Sequence, residues 1–236
     1  MILGCGRSGT SIFGELFHGL GKYVYHSEPA FGDILEHPST PPVAIKVPKE
    51  SATHPPDKGL SFPLDTWLRT HPSTIFFWIV RHPLDAISSL RVGIQANWGH
   101  HPRPTDWQDW LERPLVERCA HHWSFVNEYG YARVSKIAML MRFEDMIRDP
   151  YEFSVEVCDR VGLSADENRD ALDSWANRVQ NSNNKDFVEA ETSRHYSRPD
   201  HSVRVGRWRE SLSAEEHDQA VQIIALANER FNYDLS

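Results

Sequence analysis

Only three cysteines occur in the 236 residues, and Cys5, Cys119 and Cys158 lie far apart with no paired spacing. That argues against a structural zinc site and against a disulfide framework, and the expected compartment is the reducing cytoplasm. Long apolar runs are missing too: no stretch approaches the roughly 20 residues that a bilayer-spanning helix needs. The opening residues carry no basic segment leading into an apolar stretch and a cleavage site, because Gly4, Gly6 and Arg7 interrupt the apolar start almost at once. Excess positive charge is lacking as well. The formal net charge is -8, so the broad positive field of a nucleic-acid or anionic-membrane binder is absent and any anion site must be local. Histidine is plentiful, but His100-His101 and His121-His122 are adjacent pairs whose side chains diverge on either a helix or a strand. No metal is expected.

What remains is an ordinary globular composition, 40% hydrophobic and 25% charged, in a chain long enough for one substantial core. A single domain over residues 1–236 is expected. Short apolar runs rich in β-branched or aromatic residues at Ile2–Leu3, Tyr23–Tyr25, Val43–Val47, Ile75–Val80 and Ile137–Met141 predict buried strands. Helical patterns fall between them at Thr10–Leu20, Phe62–Arg69, Leu84–Gly93 and Pro114–Tyr131. Two or three more are expected between Tyr151 and Arg178 and from Ala214 to Phe231. Strands alternating with helices predict an α/β fold with a mainly parallel central sheet flanked by helices. Ligands on such a sheet bind beyond the carboxyl ends of the strands. His37–Pro42, Ser51–Gly59 and Asn181–Ser202 have the composition of irregular loops.

The opening MILGCGRSGTSIFGELF reads as a short strand, a Gly-rich turn and an amphipathic helix, in which the backbone amides from Gly6 through Thr10 converge on an anion at the helix N-terminus. Against the nucleotide-triphosphatase pattern G-x-x-x-x-G-K-[ST], the run from Gly4 to Ser11 keeps both glycines and the final hydroxyl but has Thr10 where lysine belongs. Its cation is Arg7, in the middle of the loop. A second piece follows the apolar strand at Ile75–Val80: Arg81-His82-Pro83-Leu84-Asp85, with Pro83 suited to a helix start and Ser89 two turns into that helix. A third, Ser202-Val203-Arg204-Val205-Gly206-Arg207-Trp208-Arg209, follows the last irregular stretch.

The run GCGRSGTS resembles the 5′-phosphosulfate loop of sulfotransferases that use 3′-phosphoadenosine 5′-phosphosulfate (PAPS), particularly their carbohydrate-type and bacterial branches. Arg81 and Ser89 look like the family's 3′-phosphate motif, and the Gly206-x-Trp208 stretch is similar to the segment that closes over the cofactor. Val43–Pro48 resembles the strand that delivers an active-site lysine, here Lys46, and Met141–Met146 resembles the family's stretch after the last strand. The resemblance runs in register from Ile2 to about Leu212. It implies that Arg7, Ser8, Gly9, Thr10 and Ser11 bind the phosphosulfate, that Arg81 and Ser89 bind the 3′-phosphate, and that Gly206 belongs to the cofactor-binding segment. One departure is that no Arg-Lys-Gly triplet precedes Gly206; Arg204 stands as a substitute. Trp208 has a competing assignment, packing in the core while Arg207 and Arg209 stay solvated.

The implied reaction is in-line transfer of the sulfuryl group from PAPS to a hydroxyl or amine of a small-molecule or carbohydrate-like acceptor, without a metal, releasing adenosine 3′,5′-bisphosphate. By analogy with phosphoryl transfer the protein supplies position and charge, the role of Arg7 and Lys46. The acceptor needs a base. Cytosolic members of the family carry a histidine soon after the lysine strand, where this chain has Val47-Pro48, and other branches carry a carboxylate after the second strand; the resemblance thus implies Glu28 in Tyr25-His26-Ser27-Glu28-Pro29 as the first candidate, with His26 the second. The segment from Trp98 to Trp110, rich in aromatics and histidines, is either a lid that stacks on the acceptor or a helix-packing patch. Two other functions compete: a phosphate-loop kinase, which needs the missing lysine and an acidic magnesium ligand, and a PAPS-binding protein without turnover.

Overall fold

The computed structural model describes residues 1–36, 40–180 and 205–236. Five strands, β1 (Ile2–Gly4), β2 (Val24–Ser27), β3 (Val43–Lys46), β4 (Phe76–Val80) and β5 (Ala138–Arg142), form one sheet in the order β2-β3-β1-β4-β5. Every pairing is parallel, as the alternation of strands and helices predicts. The register places Ser27 beside Lys46 and Val80 beside Arg142, so the carboxyl ends of the strands line one edge.

The strand β4 is buried throughout because both faces are covered. Phe76, Trp78 and Val80 enter one core, and Phe77 and Ile79 enter the other, following the two-residue period of a strand. Fully burying a side chain of this size stabilises the fold by about 1.5–3 kcal/mol, so this one strand ties the two layers together. One layer holds α1 (Thr10–Gly19), α8 (Pro150–Arg160) and α9 (Arg169–Gln180), with Phe13, Phe153 and Trp175 meeting across it. The other holds α3 (Leu64–Thr70), α4 (Pro83–Gln95), α5 (Leu115–Phe125) and α11 (Ala214–Asn228). Short helices α2 (Phe31–Leu35), α6 (Tyr131–Val134), α7 (Phe143–Arg148) and α10 (Trp208–Ser211) complete the set.

Three differences from the sequence expectation have physical causes. The helix expected over Pro114–Tyr131 is interrupted by a π-helical turn at Val126–Gly130. There the buried Asn127 amide donates to Trp123 O at 2.9 Å while its oxygen accepts from Trp78 Nε1 at 3.2 Å, and Gly130 passes against Gly59 so closely that a Cβ on Gly130 would lie 2.3 Å from Gly59 O. The helices α2 and α7 are too short to show a period of 3.6, and neither is apparent in the sequence. Ser213 and Glu216 cap α11 reciprocally, which moves its start to Ala214 as expected, but it ends at Asn228 rather than Phe231.

Candidate active site

The loop between β1 and α1 ends in a helix terminus that no side chain caps. Gly9 takes a left-handed φ of 92°, and a Cβ there would lie 2.5 Å from the Phe143 ring, so only glycine lets the chain turn into α1 at this distance from α7. The first helical amides consequently face outward with their dipole. Ser8 is fully buried in the loop, and its hydroxyl has no hydrogen-bond partner among the described residues. Of the amides expected to hold an anion, that of Ser8 donates to Cys5 O at 3.2 Å and closes the turn instead.

Next to this loop, β3 ends in Lys46, only 2% exposed. Its ammonium donates to Glu28 Oε1 at 2.5 Å and to Ser11 Oγ at 3.2 Å. Glu28 stands just past β2 in a left-handed conformation, φ 51°, and its amide donates to Lys46 O at 2.9 Å. Three residues chosen from separate sequence segments are therefore one cluster. His26, the other base candidate, lies inside β2 opposite Ile45.

On the other side of β1, β4 ends just before Arg81, which is 5% exposed. Its guanidinium lies over the Phe143 ring, 4.3 Å from the centroid, and donates to Arg7 O at 3.2 Å. Arg7, itself left-handed with φ 66°, donates through Nε to Ser89 Oγ at 3.0 Å. Arg7, Arg81 and Ser89 thus belong to one continuous network. The sequence assigned Arg7 and Ser89 to opposite ends of a ligand; the structure has them touching, because α4 returns alongside the loop.

Gly206 is also brought here: its N–H donates to Asp85 Oδ2 at 2.7 Å, and Trp208 N–H donates to Asp85 Oδ1 at 2.9 Å. Trp208 is 8% exposed and packs in the core. Arg204 lies outside the described residues. Asp85 was not singled out from the sequence, since a carboxylate in a first helical turn is ordinarily just favourable placement.

The segment from Trp98 to Trp110 packs against α5 more than it covers the site. Trp98 is fully buried and donates to His122 Nδ1 at 3.2 Å; Trp110 stacks on His121 at 4.0 Å, and Asp106 bonds both of the latter rings. His100 is driven between the loop and α4: a Cβ on Gly6 would lie 3.0 Å from Nδ1, and one on Gly93 only 2.2 Å from Nε2. Burial, with the Arg7 and Lys46 cations nearby, pushes the His100 pKa down to about 3, so the ring is neutral near pH 7. His101 instead stays exposed and contacts Glu50 at 3.2 Å. Among the described residues, no group of three or more His, Cys, Asp or Glu is arranged to hold a metal ion, and no helix is long and apolar enough to cross a membrane.

No family model matches the chain, and no curated protein matches it by sequence. Solved structures do. The mouse sulfotransferase SULT7A1, complexed with PAP, superimposes with a TM-score of 0.61 at 13% identity, over 96% of this chain and 82% of that one. Retinol dehydratase, in complex with androsterone and the inactive cofactor PAP, gives 0.60 at 14%, over 99% and 81%. The chain has the sulfotransferase fold.

Proposed function

We propose that the chain is a PAPS-dependent sulfotransferase, acting on a hydroxyl or amine of a small-molecule or carbohydrate-like acceptor. The observation that carries this reading is the order of groups along the carboxyl edge: Glu28 after β2, Lys46 on β3, the uncapped helix end with Arg7 after β1, and Arg81 after β4, on four consecutive strands. Neighbouring strands stand about 4.8 Å apart, so the path from Lys46 to Arg81 crosses two intervals, roughly 10 Å. An adenosine carrying phosphates at both 5′ and 3′ positions suits such an edge, and both structural neighbours are PAP complexes.

In this reading the α1 amides, Thr10 and Ser11 grip the 5′-phosphosulfate, and Arg81, Ser89 and the Gly206 segment face the 3′-phosphate. Lys46 has three donors, two of them spent on Glu28 and Ser11, which leaves the third for the bridging oxygen of the transferring group. Glu28 takes the proton of the acceptor as its oxygen or nitrogen bonds to sulfur. The bond from sulfur to the phosphate oxygen breaks, and Lys46 and Arg7 stabilise the charge left on that phosphate.

Turnover of sulfur-labelled PAPS over a panel of alcohol and amine acceptors tests the activity; binding of PAPS without turnover on any of them would favour a non-catalytic binder. With an acceptor in hand, Glu28→Gln is expected to lower kcat by about 100-fold or more while leaving adenosine 3′,5′-bisphosphate bound. Near-normal kcat, or a matching loss only in His26→Gln, would remove Glu28 from the role.

A further inference from the structure

We propose that Asp85 is a positioning residue, a latch that holds the backbone from Gly206 to Trp208 against the 3′-phosphate end of the site, so that selection of a 3′-phosphorylated nucleotide depends on it. This rests on the reading of the site given above. Asp85 lies in the first turn of α4, four residues beyond Arg81, and is 1% exposed. Both of its oxygens are taken by backbone amides 121 and 123 residues away. Gly206 has φ 80°, and this left-handed turn lets the amides of residues 206 and 208 converge on one carboxylate as such nests converge on anions. Hydrogen bonds to an ionised acceptor are about twice as strong as neutral ones, and the α4 terminus favours the negative charge.

The residue just before α4 supplies a second attachment. The Trp208 ring stacks on His82, at 6.0 Å and 8°, and on His217, at 5.3 Å and 24°, with the Arg209 guanidinium 4.3 Å from its centroid. His82, just before α4, and Asp85, in its first turn, therefore hold the segment by its ring and by its backbone, within one turn of Arg81. Arg207 lies between the two pinned amides, and the latch fixes where its backbone stands. A carboxylate next to a phosphate pocket would by charge alone weaken phosphate binding. With both oxygens occupied, Asp85 acts through the segment it holds and makes no contact of its own with a ligand.

Asp85→Asn keeps the shape but leaves one acceptor oxygen for two amides. Calorimetry with adenosine 3′,5′-bisphosphate and with AMP, which lacks the 3′-phosphate, reads the effect. The bisphosphate is expected to bind about tenfold more weakly with AMP unchanged, and Asp85→Glu, which retains both oxygens, to recover part of the ratio. Parallel weakening of both nucleotides, as a purely structural role predicts, overturns the proposal; so does tighter bisphosphate binding, as simple repulsion predicts. Wild-type protein with no preference for the 3′-phosphate would instead sink the reading of the site itself. Should Asp85→Asn not fold, amide exchange in the wild type decides: the bisphosphate slows exchange at Gly206 and Trp208 and AMP does not, whereas equal effects of the two overturn the latch.

Discussion

Lys46→Met is expected to lower kcat about a thousandfold with little change in the affinity for adenosine 3′,5′-bisphosphate. The ammonium is 2% exposed, and the charge on the departing phosphate grows only as the sulfur bond breaks, so the interaction is strongest at the transition state. Removing one preorganised donor from such a position costs about 100- to 1,000-fold, and here the donor is also a full charge on a buried residue. Methionine fills nearly the same volume at the end of β3. Glu28, the ion-pair partner, is 36% exposed on its side chain and can hydrate once the lysine is gone, so the fold is expected to tolerate the change. Pre-steady-state kinetics with labelled PAPS separate the chemical step from binding. A kcat within about threefold of wild type would mean that Lys46 serves the Glu28 contact and not the reaction.

Arg81→Gln is expected to weaken adenosine 3′,5′-bisphosphate about 100-fold, roughly 2.7 kcal/mol, while AMP binding stays nearly constant. Glutamine is preferred to alanine because it keeps the stem of the side chain against Phe143 while removing the charge. AMP binding then reports any loss that comes through the loop, where Arg81 donates to Arg7 O. Burial of Arg81 over Phe143 holds the guanidinium at the edge of the sheet between the loop and α4, where the proposed reading puts the second phosphate. Equal losses for the two nucleotides would show that Arg81 supports the loop alone.

These positions were legible in the sequence because each follows an apolar run. A continuous stretch such as Phe76–Val80 can only be a buried strand, and the residue that ends it must emerge at the carboxyl edge, where Arg81 is found. The same logic located Lys46 on β3 and the turn from Gly4 to Gly9. What the sequence could not supply is distance across the fold. Nothing in the order of residues shows Arg7 reaching Ser89, or Asp85 accepting from amides more than a hundred positions away. Nor could it divide the Trp98–Trp110 segment between lid and packing, because a tryptophan stacked on a ligand and one donating to His122 have the same local pattern. Glu28 was nameable only by its neighbourhood; its pairing with Lys46 depends on the parallel register of β2 and β3.

Isothermal titration of the wild-type chain with adenosine 3′,5′-bisphosphate and with ATP, each with EDTA and then with magnesium, bears most directly on whether this edge holds a nucleotide by both its 5′ and its 3′ phosphates. The bisphosphate is expected to bind without magnesium and at least about tenfold more tightly than ATP. Magnesium-dependent binding of ATP with no measurable affinity for the bisphosphate would contradict it.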